Sequence, residues 1–208
     1  MTRRVLRDYP DFSIEMNDCE GKLDFAEIFG RSAAVHIEIG CGKGTFLLNE
    51  AGSHPEFNFL GVEQANKYYR YSLDRIGRWG LKNVRVVRAE AARFLDERIA
   101  DGCVCCFHIY FPDPWPKRRH HRRRFFSSSN LDELVRCLEP GGTIKVATDH
   151  KEYFEEIQHV IAARGGRLRQ IGFFPVTSAG PGEWVGTNFE RKYLKEQRPI
   201  YTIAVEKA

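Results

Sequence analysis

Nine residues in the middle of the chain, CVCCFHIYF (Cys103–Phe111), run apolar almost without a break and show no polar alternation. A strand of this kind has no solvent face, so it belongs at the centre of a parallel sheet covered on both sides. AVHIEIG (Ala34–Gly40), FNFLGVE (Phe57–Glu63), VRVVRAE (Val84–Glu90) and GTIKVATD (Gly142–Asp149) read as four further strands. Helical-period stripes lie between them. Ala65, Tyr69, Leu73 and Ile76 mark one, closed by Gly77 and Gly80. Leu131, Leu134, Val135 and Leu138 mark another, closed by Pro140-Gly141-Gly142, and Phe154, Ile157 and Ile161 mark a third, ended by Gly165-Gly166. Strands alternating with helices predict an α/β fold with a mostly parallel sheet and helices on both faces. The tail breaks the alternation: RQIGFF and PIYTIAVEK have no long helix between them and predict a C-terminal antiparallel strand pair. The polar segment between them, Thr177 to Arg198, has the length of a functional loop.

At 208 residues, 42% hydrophobic and 29% charged, the chain predicts one domain over 1–208, with the polar stretch 1–25 as an N-terminal arm. Net charge is only +4, so the distribution of charge says more than its total. Of the six cysteines, Cys103, Cys105 and Cys106 sit inside the apolar run, where Cys behaves as a small hydrophobe, which suits a reduced, cytoplasmic protein. MTRRVLRDYPDF lacks the apolar segment of a signal peptide, and no stretch reaches membrane length, so no membrane partner is expected.

The loop EIGCGKG follows a strand directly and places Glu38 beside Gly40, Gly42 and Gly44. Closely spaced glycines let backbone approach a ligand and turn sharply into a helix. The spacing is neither the dinucleotide G-x-G-x-x-G nor a P-loop. Glu63 ends the second strand, where dinucleotide folds set an acid on ribose hydroxyls, and Glu90 ends the third. A pyrophosphate next to Glu38 is repelled, whereas a ligand with a cationic amino-acid end and a ribose accepts both acids. S-adenosylmethionine (SAM) has that shape, and Glu90 is then placed to accept from the adenine amino group.

The fourth strand runs into FPDPWPK on the same edge. Pro112, Pro114 and Pro116 exclude helix and hold Asp113 in an extended turn. KRRHHRRR (Lys117–Arg124) then places six positive charges in eight residues, a match for a phosphate backbone met by Arg118, Arg119, Arg122, Arg123 and Arg124. His120 and His121 have no evident third ligand, so no metal is expected. Asp149 with Glu152 reads as a capping box, as a functional acid, or as both. TNFERKY (Thr187–Tyr193) either presents Asn188 and Glu190 to a base edge or fixes a short helix through Phe189 and Tyr193.

Taken together, EIGCGKG, GVE, FPDPWPKRRHHRRR, ATD and TNFE, in this order and spacing, resemble the bacterial tRNA (guanine-N7-)-methyltransferases from about Leu23 onward. The resemblance implies a class I methyltransferase (Rossmann-like) fold, SAM as methyl donor, and a guanine in the tRNA variable loop as acceptor. By motif it assigns Glu38, Gly40, Gly42, Glu63, Glu90 and Asp113 to the cofactor, with Asp113 also the catalytic acid. Lys117, Asp149, Thr187, Asn188, Phe189 and Glu190 fall at tRNA-substrate positions. Glu90 stands where the family more often has Asp or Asn, and His121 and Asn188 also depart from the commoner residues. No obligatory protein partner is implied, and the chain is expected to act as a monomer or homodimer. An amino-group methyltransferase fits less well because D-P-W-P lacks the consecutive prolines of D/N-P-P-aromatic. A nicotinamide-dependent oxidoreductase fits less well still, given the glycine spacing. A non-catalytic RNA-binding module has no need of acids at the strand ends.

Overall fold

A computed structural model describes residues 5–16 and 21–208. The strands are β1 (Ser13–Ile14), β2 (Val35–Ile39), β3 (Asn58–Val62), β4 (Val84–Val87), β5 (Val104–Tyr110), β6 (Leu138–Thr148), β7 (Leu168–Ile171) and β8 (Tyr201–Lys207). The helices are α1 (Phe25–Phe29), α2 (Thr45–Ser53), α3 (Asn66–Trp79), α4 (Ala91–Arg98), α5 (Ser128–Cys137), α6 (Lys151–Ala162) and α7 (Asn188–Lys195). All strands lie in one sheet, ordered β1-β4-β3-β2-β5-β6-β8-β7. Pairing is parallel from β1 to β6, while β8 runs antiparallel to both β6 and β7.

The uninterrupted apolar run is central, as its composition requires. Phe107 and Ile109 of β5 face a layer with Leu95, Leu131, Leu134 and Tyr153, while Tyr110 faces Phe46, Leu73 and Ile76 across the sheet. The two layers give β5 no solvent face, and each large side chain sealed there contributes roughly 1.5–3 kcal/mol. Chain order reverses between β2 and β5, so their shared C-terminal edge is the topological switch point at which open α/β sheets bind ligands.

Several expected boundaries move. The stripe expected to carry a helix through Leu138 is cut at Cys137, and Leu138 instead opens β6 opposite Val104. The register shifts between Val104 and Cys106, and a Cβ at Gly142 would lie 3.0 Å from the Val104 carbonyl. The glycine there serves close strand approach rather than helix termination. The third strand stops at Val87, and Glu90 caps α4 through bonds from Ala92 N and Arg93 N. Gly77 lies inside α3 and gives the Tyr9 ring its seat: an added Cβ would meet that ring at 2.1 Å. The described part of the N-terminal arm therefore packs on α3, and its Ser13–Ile14 segment extends the sheet beside Val86 and Val87.

Candidate active site

Register brings the strand ends to one edge: Ile39 pairs with both Val62 and Ile109, and Tyr110 with Ala147. Beyond Ile39 the chain turns through Gly40, Gly42 and Gly44, whose φ values of 75°, 55° and 66° lie in the left-handed region that L side chains avoid. Gly40 N and Cys41 N donate to the Val62 carbonyl, so the loop stays level with the end of β3. Glu63 completes the arrangement: Gly42 N donates to Oε2 at 2.9 Å and Ala65 N to Oε1 at 2.7 Å. Its carboxylate thus shapes the glycine loop as well as facing the edge.

Glu38 is buried, and its Oε2 has no hydrogen-bond partner among the described residues. Burial, reinforced by the Glu63 carboxylate, pushes the Glu38 acid well above the usual carboxylate range. A sealed acceptor without a donor is costly, and the chemistry that relieves it is a cationic or N–H-bearing group. An added Cβ at Gly40 meets no heavy atom within 4 Å, so the loop leaves room beside it. Farther along the edge, a cleft of about 400 Å³ is walled by Gln64, Asn66, Tyr69 and Glu90, with Ile14 and Met16 of the arm opposite. Glu90 therefore lies on the cleft wall, but as a helix cap three residues beyond the strand rather than as a strand end.

The FPDPWPK loop leaves β5 with Phe111 at φ 52° and Trp115 at φ 43°. Non-glycine residues in this region hold strain of about 1–3 kcal/mol, and here they bracket the exposed Asp113. Phe111 N donates to the Ala147 carbonyl at 2.7 Å, and its ring meets Tyr193 at 5.4 Å between centroids. The basic run folds into a short 3-10 helix, Arg118–Arg123. Lys117, Arg118, Arg119, Arg122 and Arg123 are exposed, and Arg123 lies 4.9 Å over the Trp115 ring.

Arg124 corrects its expected place among the phosphate contacts. Its side chain is 1% exposed and ion-paired with Glu152 and Glu156, and its Nε donates to the Pro114 carbonyl. It sits just before the apolar pair Phe125-Phe126, and that adjacency was the available signal that the last arginine of the run turns inward. Asp149 is also corrected as a cap: His150 caps α6 through Tyr153 N, while Asp149 accepts from Arg198 Nη1 at 2.9 Å. Arg198 in turn lies over Tyr193, which links Asp149 to the ring beside Phe111.

In the late loop, Thr187 caps α7 by accepting from Glu190 N. The Glu190 carboxylate is fully buried and accepts from Trp184 N, Val185 N and Gly186 N. These two residues build the loop; only Asn188 and Phe189 of the four stand exposed. Asn188 Nδ2 donates to Thr45 Oγ1 at 2.8 Å, tying the late loop to the start of α2. The sequence reading missed Arg198 and the Ile14–Met16 wall, because neither belongs to a chemical motif, and it gave Tyr193 only a helix-fixing role.

A family model described as a putative methyltransferase matches residues 32–203. The tRNA (guanine-N(7)-)-methyltransferase of Nitrosococcus oceani is 38% identical over 201 residues, covering 96% of this chain and 82% of that protein. Its namesake from Alkalilimnicola ehrlichii is 34% identical over 199 residues, covering 96% and 83%. Among solved structures, a SAM-dependent methyltransferase from Aquifex aeolicus superposes with a TM-score of 0.59 at 14% identity, covering 88% of this chain and 87% of its own. At that identity it shows the fold alone: an α/β methyltransferase architecture.

Proposed function

The chain belongs to the methyltransferase family that includes the tRNA (guanine-N(7)-)-methyltransferases, and from that premise we infer that it methylates N7 of a guanine in tRNA with SAM as donor. The finer reading places the acceptor in the variable loop and the enzyme in the cytoplasm, where tRNA is met. It also takes 1–208 as one domain acting as a monomer or homodimer. One continuous sheet carrying the whole candidate site supports the single domain.

The observation that carries the cofactor reading is Glu38, a buried carboxylate with an orphaned oxygen beside a positive-φ glycine loop. That donor-poor pocket fits the cationic amino-acid end of SAM, and the cleft beyond it fits the nucleoside. Bound SAM would supply an electrophilic methyl on a sulfonium, available to the lone pair of the purine N7. Glu38 receives the ammonium end. Glu63 holds the glycine loop in its turn and faces the ribose. Asp113 stands on a strained, proline-framed loop at the same edge, where a carboxylate favours positive charge arriving on the purine. Lys117 and the exposed arginines meet phosphate, with Asn188, Phe189 and Asp149 bordering the base. No helix among the described residues is long and apolar enough to cross a membrane.

Incubation with labelled SAM and unmodified bulk tRNA, followed by nucleoside analysis, tests the reading. The expected product is 7-methylguanosine. Label confined to amino groups of adenine or cytosine overturns it.

A further inference from the structure

Below the strand-end edge, the α2 face of the sheet buries a second cluster of chemistry-bearing side chains that methyl transfer does not use. His36 of β2 and Cys106 and His108 of β5 each offer one ligand atom, all within 4.8 Å of one another. We propose that these three side chains form a binding site for a borderline-soft cation of the zinc class.

The sheet itself makes the cluster. His36 pairs in register with Cys106, and the two-residue repeat of a strand sets Cys106 and His108 on the same face. His36 Nδ1 and His108 Nε2 lie 3.0 Å apart. The other nitrogen of His108 is 2.8 Å from Tyr110 Oη, which orients the ring so that Nε2 faces His36. Ligating imidazoles characteristically carry such an outer partner. Thr143 Oγ1, donating to Cys106 Sγ at 3.1 Å, is a second. Phe57 stacks on His36 at 4.8 Å between centroids and Phe46 packs tilted against His108 at 4.6 Å, so neither ring is free to swing away.

Two nitrogens and one sulfur suit zinc-class ions, and three protein ligands leave a fourth position for water. Burial, with Lys145 adding to it, lowers His36 to about 4 and His108 well below its usual value, so both rings are neutral, the ligating form. The Cys106 thiol, pushed up to about 11 by burial, loses its proton to solvent as the S–metal bond forms. Lys145 favours that thiolate while opposing the cation; Glu56 and His54 are the other charged or titratable groups acting on His36. His36 is only half-buried, and Phe57, which stacks on it, also stacks on His54, whose Nδ1 meets the exposed Glu56, so this is the side of the cluster nearest solvent. At bonding distances the imidazole pair must part by several tenths of an ångström, a small adjustment between neighbouring strands.

The bland alternative is a closed hydrogen-bond string that needs no ion, and it forecasts no uptake. Reduced, metal-free protein titrated with Co²⁺ distinguishes the two. The expected result is a thiolate-to-cobalt charge-transfer band saturating at a single equivalent and erased by equimolar Zn²⁺, with one proton released per ion. Cys106→Ser removes the band while Cys105→Ser keeps it. His36→Gln abolishes saturable binding, and Tyr110→Phe weakens it about 10–100-fold, the effect of losing an outer partner. Absence of the band in the parent protein, or its survival in Cys106→Ser, overturns the proposal. The parent titration alone decides if a substituted chain does not fold. Because methyl transfer is not the readout, the result stands apart from the proposed function.

Discussion

Arg124 Nε donates to the Pro114 carbonyl at 2.8 Å, and this bond fastens the loop bearing Asp113 to the body of the domain. The same guanidinium pairs with Glu152 and Glu156 of α6 and lies 4.9 Å from the centre of the Tyr153 ring. Glu152 and Glu156 remain partly exposed, so they rehydrate when the pair is broken, which moderates the loss. Arg124→Gln is expected to lower stability by about 1.5–3 kcal/mol, the range for hydrogen bonds to charged groups. Denaturant unfolding measures it. The salt dependence of tRNA binding should not change; a flattened slope returns Arg124 to the phosphate contacts.

The exposed members of the run should behave in the opposite way. Arg118, Arg119 and Arg122 have open side chains, while Arg123 is partly engaged with Trp115. Replacing Arg118, Arg119 and Arg122 with Gln is expected to weaken tRNA binding and to flatten log K against log salt by roughly 0.7–0.9 per lost contact. SAM affinity, followed by calorimetry, should be unaltered. An unchanged salt slope makes this helix a solvated face.

The contrast between Arg124 and its neighbours shows where sequence reading reaches its limit. The parallel sheet was legible because β5 has no polar face and because glycines and prolines punctuate the chain between stripes. The glycine loop and Asp113 were legible because both follow strands, and strand ends share an edge. Direction was not legible. Composition treats Arg122 and Arg124 alike, yet one is exposed and the other is buried over the Tyr153 ring. Glu190 likewise looks available for a base edge until its three backbone donors are seen. The helix α2, implied only by the glycine loop before it, showed no stripe because its buried Phe46, Leu47, Leu48 and Ala51 form too compact a run.

Glu63 couples the shape of the glycine loop to the cofactor. Glu63→Ala removes the acceptor for Gly42 N and Ala65 N as well as the acid proposed to face the ribose. SAM affinity by calorimetry is expected to fall by about 1.5–3 kcal/mol. Unchanged affinity counts against this placement.

Glu38 ties both stability and cofactor binding to pH. Burial first, and Glu63 second, raise its folded value well above the ordinary 4.5, so the folded chain holds this proton after the unfolded chain has released it. The contribution to stability is therefore fully present below about 4.5 and is lost as pH rises through the folded value. Glu38→Gln, neutral throughout, should match the parent in acid and exceed it in stability at neutral and higher pH. A cation held against the carboxylate reverses the preference and expels the proton. SAM binding should thus tighten with pH across that window, and calorimetry in buffers of different ionisation heat should register proton release. Equal observed heats in those buffers, which mean that no proton is released, rule out this linkage.

Asp113 should act by position and charge rather than as a base. Guanine N7 carries a lone pair and no proton, so its attack on the methyl group needs no prior deprotonation. What changes in the transition state is the placement of positive charge, which arrives on the purine. A carboxylate already fixed near that ring stabilises the charge without reorganising. The loop backbone on either side of Asp113 is held: Phe111 and Trp115 take left-handed backbone, Phe111 N is tied to Ala147, and Pro114 is tied to Arg124. Asp113→Asn keeps the volume and removes the charge. A fall in kcat of roughly a hundredfold is expected, by analogy with losing one preorganised electrostatic contact. SAM should still bind measurably, since Glu38 and Glu63 remain. Single-turnover rates on saturating tRNA separate this effect from product release, and a near-parental rate for Asp113→Asn reduces Asp113 to a turn residue between two prolines.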